Sequence, residues 1–331
     1  MTFSLCMIVK DEMHFIEDAL RSAASFVEEL VVVDTGSQDG TREIAASLAT
    51  TLIDFSWIDD FSAARNAALD AATSEWILVL DADERISPED FRRIRSAISN
   101  TDKRGFYLQT RSYMPRGQQH GEWHPVAPED PFAKGHSGYI THPIMKVFLR
   151  SPEIRYAGRV HEVVDASVPE ALRGSLDVPI HHYGDDNPER PRAERVRKYL
   201  ALMESELAER EDGRLYHIAG ASALRFPDCH QKSEKYFLKA AELGYEWSKS
   251  VEGAAEAAYR RGNFGPALDL YRKVYEAGYR TPSVCLNMAN LLVKTGEKAK
   301  AADLLQECLD LGGLGVEIDP TIERNIDLLR S

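Results

Sequence analysis

A chain of 331 residues, 44% hydrophobic and 28% charged, has the composition of an ordinary globular protein and the length for two domains. Its formal net charge of −13 argues against general nucleic-acid binding, which needs a basic footprint. No apolar run approaches the roughly 20 residues that cross a bilayer, so no membrane span is expected.

The strand-like run at residues 3–9 is followed by Lys10-Asp11-Glu12, not by a signal-peptide cleavage pattern, and the chain reads as cytoplasmic. Cys6, Cys229, Cys285 and Cys308 are scattered, with no CxxC pair, and read as buried free thiols of a reducing compartment. Further strand-like runs lie at 30–33, 52–55 and 76–80, with helical patterns at 13–24, 41–48, 62–72 and 88–98. Strands alternating with helices of this length imply an α/β fold with a mostly parallel sheet flanked by helices. The runs 30–33 and 77–80 are continuously apolar, as in a sheet covered on both faces.

Asp81-Ala82-Asp83 comes directly after the 76–80 strand. Residues i and i+2 of an extended backbone share a side, so both carboxylates can face one ligand. Open α/β sheets bind ligands at the carboxyl ends of their strands. Carboxylate oxygens suit Mg²⁺ or Mn²⁺, ions that bridge to substrate phosphates.

The pattern changes from residue 104 to about 186. Strands at 105–110 and 146–150 enclose a stretch rich in Pro, Gly and His, which reads as a lid or binding loop. His120, His124, His136 and His142 fall here, but their spacings match no standard zinc ligand set and no Cys joins them. Pro188 and Pro191 open a charged helix over 193–211 that links two domains. The basic run Arg190, Arg192, Arg195, Arg197 and Lys198 reads as its solvated face.

The last third repeats. Gly244, Gly278 and Gly312 are spaced by 34 residues, as are Ala221, Ala255 and Ala289, and Ser233, Ala267 and Ala301. Gly262 and Gly296 keep the same interval, and Phe237, Tyr271 and Leu305 keep step. This period, with small residues where paired helices cross, resembles the tetratricopeptide repeat over about 212–312, although the expected Trp and closing Pro are absent and the first repeat is degenerate. The division is therefore 1–187, a linker helix over 188–211, and an all-α repeat domain over 212–331.

Residues 1–185 resemble a family-two glycosyltransferase with the GT-A nucleotide-sugar fold. The matching segments are Cys6-Met7-Ile8-Val9-Lys10-Asp11-Glu12, Val31-Val32-Val33-Asp34-Thr35-Gly36-Ser37-Gln38-Asp39-Gly40-Thr41, Asp59-Asp60-Phe61-Ser62-Ala63-Ala64-Arg65-Asn66 and Trp76 through Glu84. Gly158-Arg159-Val160-His161-Glu162 and His181-His182-Tyr183-Gly184 follow in the expected order. With the repeats, the whole is similar to bacterial S-glycosyltransferases that modify glycocin peptides.

The resemblance implies a metal-dependent, inverting enzyme that moves a sugar from a UDP-sugar to a peptide, protein or glycan acceptor. Val9 ends the first strand, where backbone amides can hold a nucleobase edge. Glu12 either contacts the nucleoside or caps the next helix. Asp34 becomes the uracil contact, or forms an Asx turn with Gly36, while Ser37, Asp39 and Thr41 shape the turn and cap the helix after it. Arg65, in the first turn of a helix where a cation does not suit the dipole, becomes a donor-site contact, direct or through Asp34, or else a surface ion pair.

Asp83 is expected to bind the cation, Mn²⁺ or Mg²⁺, and Asp81 to meet ribose or the metal through water. A later His completes the metal site in this family, and His182 is preferred to His181. Glu162 becomes the base for the acceptor proton, with a structural ion pair as its alternative. A Cys thiol acceptor would need little basic help. Trp123 and Tyr139 are candidate walls of the acceptor site. The repeats would recognise the acceptor or mediate a homodimer. Two other readings compete: a catalytically weak sugar-nucleotide-binding scaffold acting through its repeats, and a sugar nucleotidyltransferase, for which the Gly-rich, Arg-containing loop after the first strand is missing.

Overall fold

The computed structural model describes residues 1–114, 123–127, 129–184, 192–314 and 318–331. His120, Pro188, Arg190 and Pro191 lie outside the described residues. The chain divides into two compact units, Met1–Arg192 and Ala193–Ser331.

The first unit is built on a nine-stranded sheet. Its strands are β1 (Phe3–Val9), β2 (Glu29–Asp34), β3 (Thr51–Asp54), β4 (Trp76–Val79), β5 (Glu84–Arg85), β6 (Gly105–Met114), β7 (Trp123–Pro125), β8 (Gly138–Leu149) and β9 (Arg173–His182). Their order is β3-β2-β1-β4-β8-β6-β9-β5, with β7 on β8. The sheet is parallel from β3 to β4 and mixed beyond, where β8 runs antiparallel to both β4 and β6. The chain steps outward from β1 to β3 and then returns to the other side of β1 as β4. That reversal makes a topological switch point beside the carboxyl ends of β1 and β4, the place where such sheets bind ligands.

Alternation along β1 explains the two layers. Phe3, Leu5, Met7 and Val9 join one core with Ile16 and Leu20 of α1 (Ile16–Ala24) and Phe91, Ile94 and Ile98 of α4 (Pro88–Ile98). Cys6 faces the opposite core with Ala64, Ala68 and Leu69 of α3 (Phe61–Ala71). α2 spans Thr41–Leu48. Ser87 caps α4 by accepting the Asp90 N–H, with Pro88 in the first turn, a cap worth about 1 kcal/mol. Phe91 is fully buried and stacks on Phe26 at 4.9 Å.

The structure departs from the sequence expectation mainly after residue 104. β6 and β8 form a long hairpin of ten and twelve residues, and β9 pairs parallel to β6, where the sequence indicated only two short strands. The reason is chemical disguise. Pro143 and Pro179 both pair with Gln109, and the register between β6 and β9 shifts just before it. A proline in a strand sits at an edge or irregularity, so these segments do not read as strands from sequence alone. α1 also begins at Ile16, after the Glu12 carbonyl has accepted the Phe15 and Ile16 N–H groups, and not at residue 13.

The second unit is helical: α5 (Arg192–Glu209), α6 (Gly213–Ala223), α7 (His230–Glu242), α8 (Trp247–Arg260), α9 (Phe264–Glu276), α10 (Pro282–Thr295), α11 (Lys298–Asp310) and α12 (Asp319–Arg330). The glycines repeating at 34-residue intervals end these helices. Gly244, Gly278 and Gly312 follow α7, α9 and α11 with φ of 77°, 88° and 106°, and Gly262 and Gly296 follow α8 and α10 at 79° and 84°. Each donates its N–H to the carbonyl three residues earlier, and the next residue reaches back five. This is the left-handed termination that glycine makes at low cost. Ser233, Ala267 and Ala301 are buried at the helix crossings, and Phe237, Tyr271 and Leu305 pack beside them. Ala255 and Ala289 are buried as well, whereas Ala221 is exposed. In that first repeat Gly220 lies against the Phe237 ring, so the small buried residue is shifted by one position. Among the described residues no helix is long and apolar enough to cross a membrane.

Candidate active site

The site is laid out along the carboxyl rim of β1, β2 and β4. Val9 and Asp34 are register partners at the ends of adjacent strands. The Val9 carbonyl accepts both the N–H and the hydroxyl of Thr35, which locks the two strand ends together. Asp34 is buried and its two carboxylate oxygens are in different states. Oδ1 accepts the N–H groups of Gly36 and Ser37, each at 2.9 Å, while Oδ2 is buried without a partner. The Asx turn and a spare acceptor therefore coexist in one side chain. A buried carboxylate oxygen without a hydrogen bond is costly, so it marks a place where a donor group belongs.

The loops after β1 and β2 are stapled to each other. Asp11 accepts the Gln38 N–H and donates its own N–H to Ser37 Oγ; Asp39 accepts from Met13 and Thr41; Thr41 Oγ1 accepts the Glu12 N–H. Ser37, Asp39 and Thr41 thus hold the loop that carries Glu12. The N-cap position of α2 is Gly40, with no side-chain cap.

Beyond β4 the Asp81-Ala82-Asp83 turn splits its carboxylates between two duties. Asp81 is gripped by cations on both oxygens, Arg65 Nη2 at 2.9 Å on Oδ1 and Lys146 Nζ at 3.2 Å on Oδ2. Burial disfavours its charge, but these two cations outweigh burial and hold its pKa well below the ordinary carboxylate range. Asp83 instead faces His182, with Oδ2 3.5 Å from Nε2. His182 Nδ1 is 3.0 Å from Ser112 Oγ, a contact that turns Nε2 toward Asp83. Burial works against the protonated His182 ring, yet the Asp83 hydrogen bond and the neighbouring carboxylates lift its pKa to about 9.

Gly184 lies hard against this pair, where no side chain larger than hydrogen fits. A Cβ built there would lie 2.5 Å from His182 Nε2 and 2.8 Å from Asp83 Oδ2. One imidazole nitrogen and one carboxylate oxygen 3.5 Å apart are a donor set that suits a divalent cation taking its other ligands from phosphate oxygens and water. Among the described residues no group of three or more His, Cys, Asp or Glu side chains is arranged as a complete cage. His181 points elsewhere: it is buried, 2.6 Å from Tyr113 OH and stacked on Phe132, and burial with the nearby Arg111 charge lowers its pKa to about 4.

Arg65 ties this rim to the segment carrying Glu162. Asp60 caps α3, Ser62 Oγ donates to the Gly158 carbonyl, and Asn66 clamps the Tyr156 backbone from both sides. These bonds seat α3 against residues 156–162 and aim Arg65 between two carboxylates. Its Nε meets Glu162 Oε1 at 2.5 Å while Nη2 holds Asp81, and Nη1 is buried without a partner. Arg65 thus reaches Asp81 and Glu162, and the route through Asp34 is not the one taken. His161, beside Glu162, sits at φ 52°, a backbone state that few side chains adopt outside special sites.

Tyr139 packs edge-on to Tyr113 and near His124, and Trp123 covers Gly138. His136 stacks on Tyr113, so His124 and His136 belong to an aromatic layer. Glu84 and Arg85 fix the turn: Glu84 Oε2 accepts the Asp81 N–H, and Arg85 donates to the carbonyls of Ala82, Glu84 and Phe15.

Lys146 and Gly184 escaped the sequence reading as site residues. Lys146 stands in the run Ile144-Met145-Lys146-Val147-Phe148, and a lysine with apolar neighbours in a strand is a signal that its charge has a buried partner. Gly184 carries no such signal, because its meaning depends on which two side chains converge on it.

The family model for glycosyl transferase family 2 matches residues 4–155. A TPR repeat-containing protein of Synechococcus elongatus is 30% identical over 336 residues, covering 92% of this chain and 74% of that protein. Glycosyltransferase SunS from the SPbeta prophage of Bacillus subtilis is 25% identical over 211 residues, covering 62% of this chain and 45% of SunS. The chain thus aligns with under half of SunS. The structure of TarS 1–349 from S. aureus in complex with UDP-GlcNAc is 14% identical, covers 85% of this chain and 93% of that one, and gives a TM-score of 0.46. The family-two match over the sheet unit, joined to a repeat-protein alignment over nearly the whole length, means that this chain belongs to the family-two glycosyltransferases that carry tetratricopeptide repeats.

Proposed function

We propose that the chain transfers a sugar from a UDP-sugar, with a divalent cation and inversion at the anomeric carbon, to a side chain of a peptide or protein. One observation carries the reading: the rim that presents the unpartnered Asp34 Oδ2 also brings the Asp83 carboxylate and the His182 imidazole face to face beside Gly184. Asp34 Oδ2 would accept the ring N–H of uracil. Asp81, turned by its two cations into a fixed acceptor, would bind a ribose hydroxyl. A Mn²⁺ or Mg²⁺ ion held by Asp83 and His182 would neutralise charge on the departing diphosphate.

Arg65 holds Asp81 and Glu162 and keeps a buried Nη1 donor without a partner, which supports contact with the donor or its leaving group. Glu162 would take the acceptor proton as the acceptor atom bonds the anomeric carbon and the electron pair of the broken C–O bond leaves with UDP. The repeat unit would recognise the acceptor or pair with a second copy. Four buried cysteines with no disulfide support a reducing compartment such as the cytoplasm.

The test is release of UDP from a panel of UDP-sugars with Mn²⁺ or Mg²⁺ and no acceptor. Slow metal-dependent hydrolysis of one donor supports the reading and names the sugar. No turnover of any donor, with no UDP binding by calorimetry, overturns it.

A further inference from the structure

The residue that organises the acidic end of β4 is on another strand. Lys146 is 4% exposed and lies in the apolar part of β8. Its ammonium reaches Glu84 Oε2 at 2.7 Å and Asp81 Oδ2 at 3.2 Å. Glu84 is 2% exposed, and the same Oε2 accepts the Asp81 N–H at 2.9 Å. Charges therefore alternate through Glu84, Lys146, Asp81, Arg65 and Glu162.

We propose that Lys146 is a positioning residue for donor binding: anchored on Glu84, it fixes the plane of the Asp81 carboxylate and keeps Asp81 out of the cation site. The inference rests on the UDP-sugar reading given above. Its physical argument is geometric. A carboxylate tied through Oδ1 alone can rotate about its terminal torsion, which is broad and two-fold. A second tie at Oδ2, from an ammonium that is itself held by a buried carboxylate, removes that freedom. With a cation on each oxygen, Asp81 keeps only its remaining lone pairs for a ligand. These suit a neutral hydroxyl better than a third cation, so metal coordination falls to Asp83 and His182. Lys146 also supplies a counter-charge that lets Asp81 and Glu84 lie close together, and this second duty is purely structural. The test must separate the two.

Three variants do so: Lys146→Met, Lys146→Met with Glu84→Gln, and Lys146→Arg. Each is assayed for UDP binding by calorimetry with and without Mn²⁺, for donor KM and kcat in metal-dependent hydrolysis, and for Tm. The single Met variant should lose Tm and turnover together. The double variant, which removes the stranded buried charge, should regain Tm while UDP affinity without metal and kcat/KM for the donor stay roughly 10–100-fold down, the usual scale for groups that orient site ligands. Recovery of Tm, affinity and turnover together in the double variant reduces Lys146 to a charge balancer and overturns the proposal. So does a single Met variant with unchanged UDP affinity. If the double variant does not fold, Lys146→Arg decides, because it keeps the charge but moves the donors: weakened UDP binding at normal Tm supports positioning, and unchanged binding overturns it. A wild-type chain that binds no UDP overturns the donor reading itself and Lys146 with it; a variant that matches a binding wild type overturns Lys146 alone.

Discussion

Replacing Gly184 by alanine is the sharpest perturbation the site offers, because it adds a single methyl group against both proposed cation ligands. The new Cβ would stand 2.5 Å from His182 Nε2 and 2.8 Å from Asp83 Oδ2, inside the contact distance of either pair. The neighbours must shift, which moves the proposed ligand pair out of its present geometry. The backbone itself tolerates the change, since Gly184 is not among the positive-φ residues. Unfolded-state entropy even favours alanine by about 0.4–1 kcal/mol where the conformation is compatible. The overpacking outweighs that gain, so the fold should lose about 1–3 kcal/mol of stability. Loss of the cation removes several kcal/mol of charge neutralisation at the diphosphate, and 3–4 kcal/mol corresponds to about 10²–10³ in rate. The assay is donor hydrolysis titrated with Mn²⁺, alongside calorimetric UDP binding in a chelator. Gly184→Ala should lose the Mn²⁺ response and keep metal-free UDP binding within about twofold, a difference worth under 1 kcal/mol. A Gly184→Ala chain with a normal Mn²⁺ titration would refute the placement of the cation between Asp83 and His182.

Asp34→Asn keeps an oxygen for the Gly36 and Ser37 N–H groups but replaces the free acceptor with a donor; UDP affinity should fall roughly 10–100-fold, the scale of a hydrogen bond to a charged group, with Tm nearly unchanged. Glu162→Gln should cut transfer by about 10²-fold or more while sparing UDP binding, and loss of both, read by calorimetry beside turnover, would assign Glu162 to a structural pair with Arg65. Glu29 joins the starts of β1 and β4 by accepting from Ser4, Thr73 and Ser74; burial pushes its carboxyl up, but these hydrogen bonds prevail and its pKa is lowered. Because the folded value is the lower one, its contribution is complete above the unfolded pKa and is lost as pH falls through the folded pKa. Glu29→Gln should thus lower Tm at pH 7 by an amount equivalent to about 1–2 kcal/mol, and the gap to wild type should narrow in urea melts run at progressively lower pH. All four thiols are buried, and burial raises Cys285 to about 12, so DTNB should label none of them in the native chain at pH 8 and all of them in guanidinium; rapid native labelling would contradict the packing.

The parts of this protein legible in the sequence are those whose meaning is local or periodic. A strand followed by Asp81-Ala82-Asp83 needs only the two-residue period of an extended chain, and five helix-ending glycines need only a fixed interval of 34. Paired carboxylates whose roles depend on distant partners are legible only as candidates. Nothing near Asp81 in sequence announces that Lys146 lies 65 positions on and Arg65 16 positions back. The β6–β8 pairing was hidden for a related reason, since Pro143 interrupts the β8 pattern and Pro179 is tolerated beside a β6–β9 register shift that only the folded sheet creates. Ala221 marks the opposite failure: its place in the 34-residue ladder is correct, yet the burial is carried by Gly220 because Phe237 packs against that position.

The two aspartates of the motif carry this point into mechanism. They are separated by one residue, share a turn and differ in nothing that composition records. Asp81 is paired on both oxygens with cations from α3 and β8, while Asp83 faces a histidine from β9 at 3.5 Å. Their division of labour is therefore set by the strand order, which brings β8 against β4 and returns β9 to β5. An enzyme that used both aspartates as equal metal ligands would have no reason to bury a lysine and an arginine against one of them. The cost of desolvating two cations is offset only by fixed, close carboxylates. Asp81 supplies one such carboxylate to each cation, with Glu84 and Glu162 completing the set. The charge chain and the Asp83–His182 pair are thus two halves of one arrangement: cations immobilise the first aspartate, and the second is left to face His182.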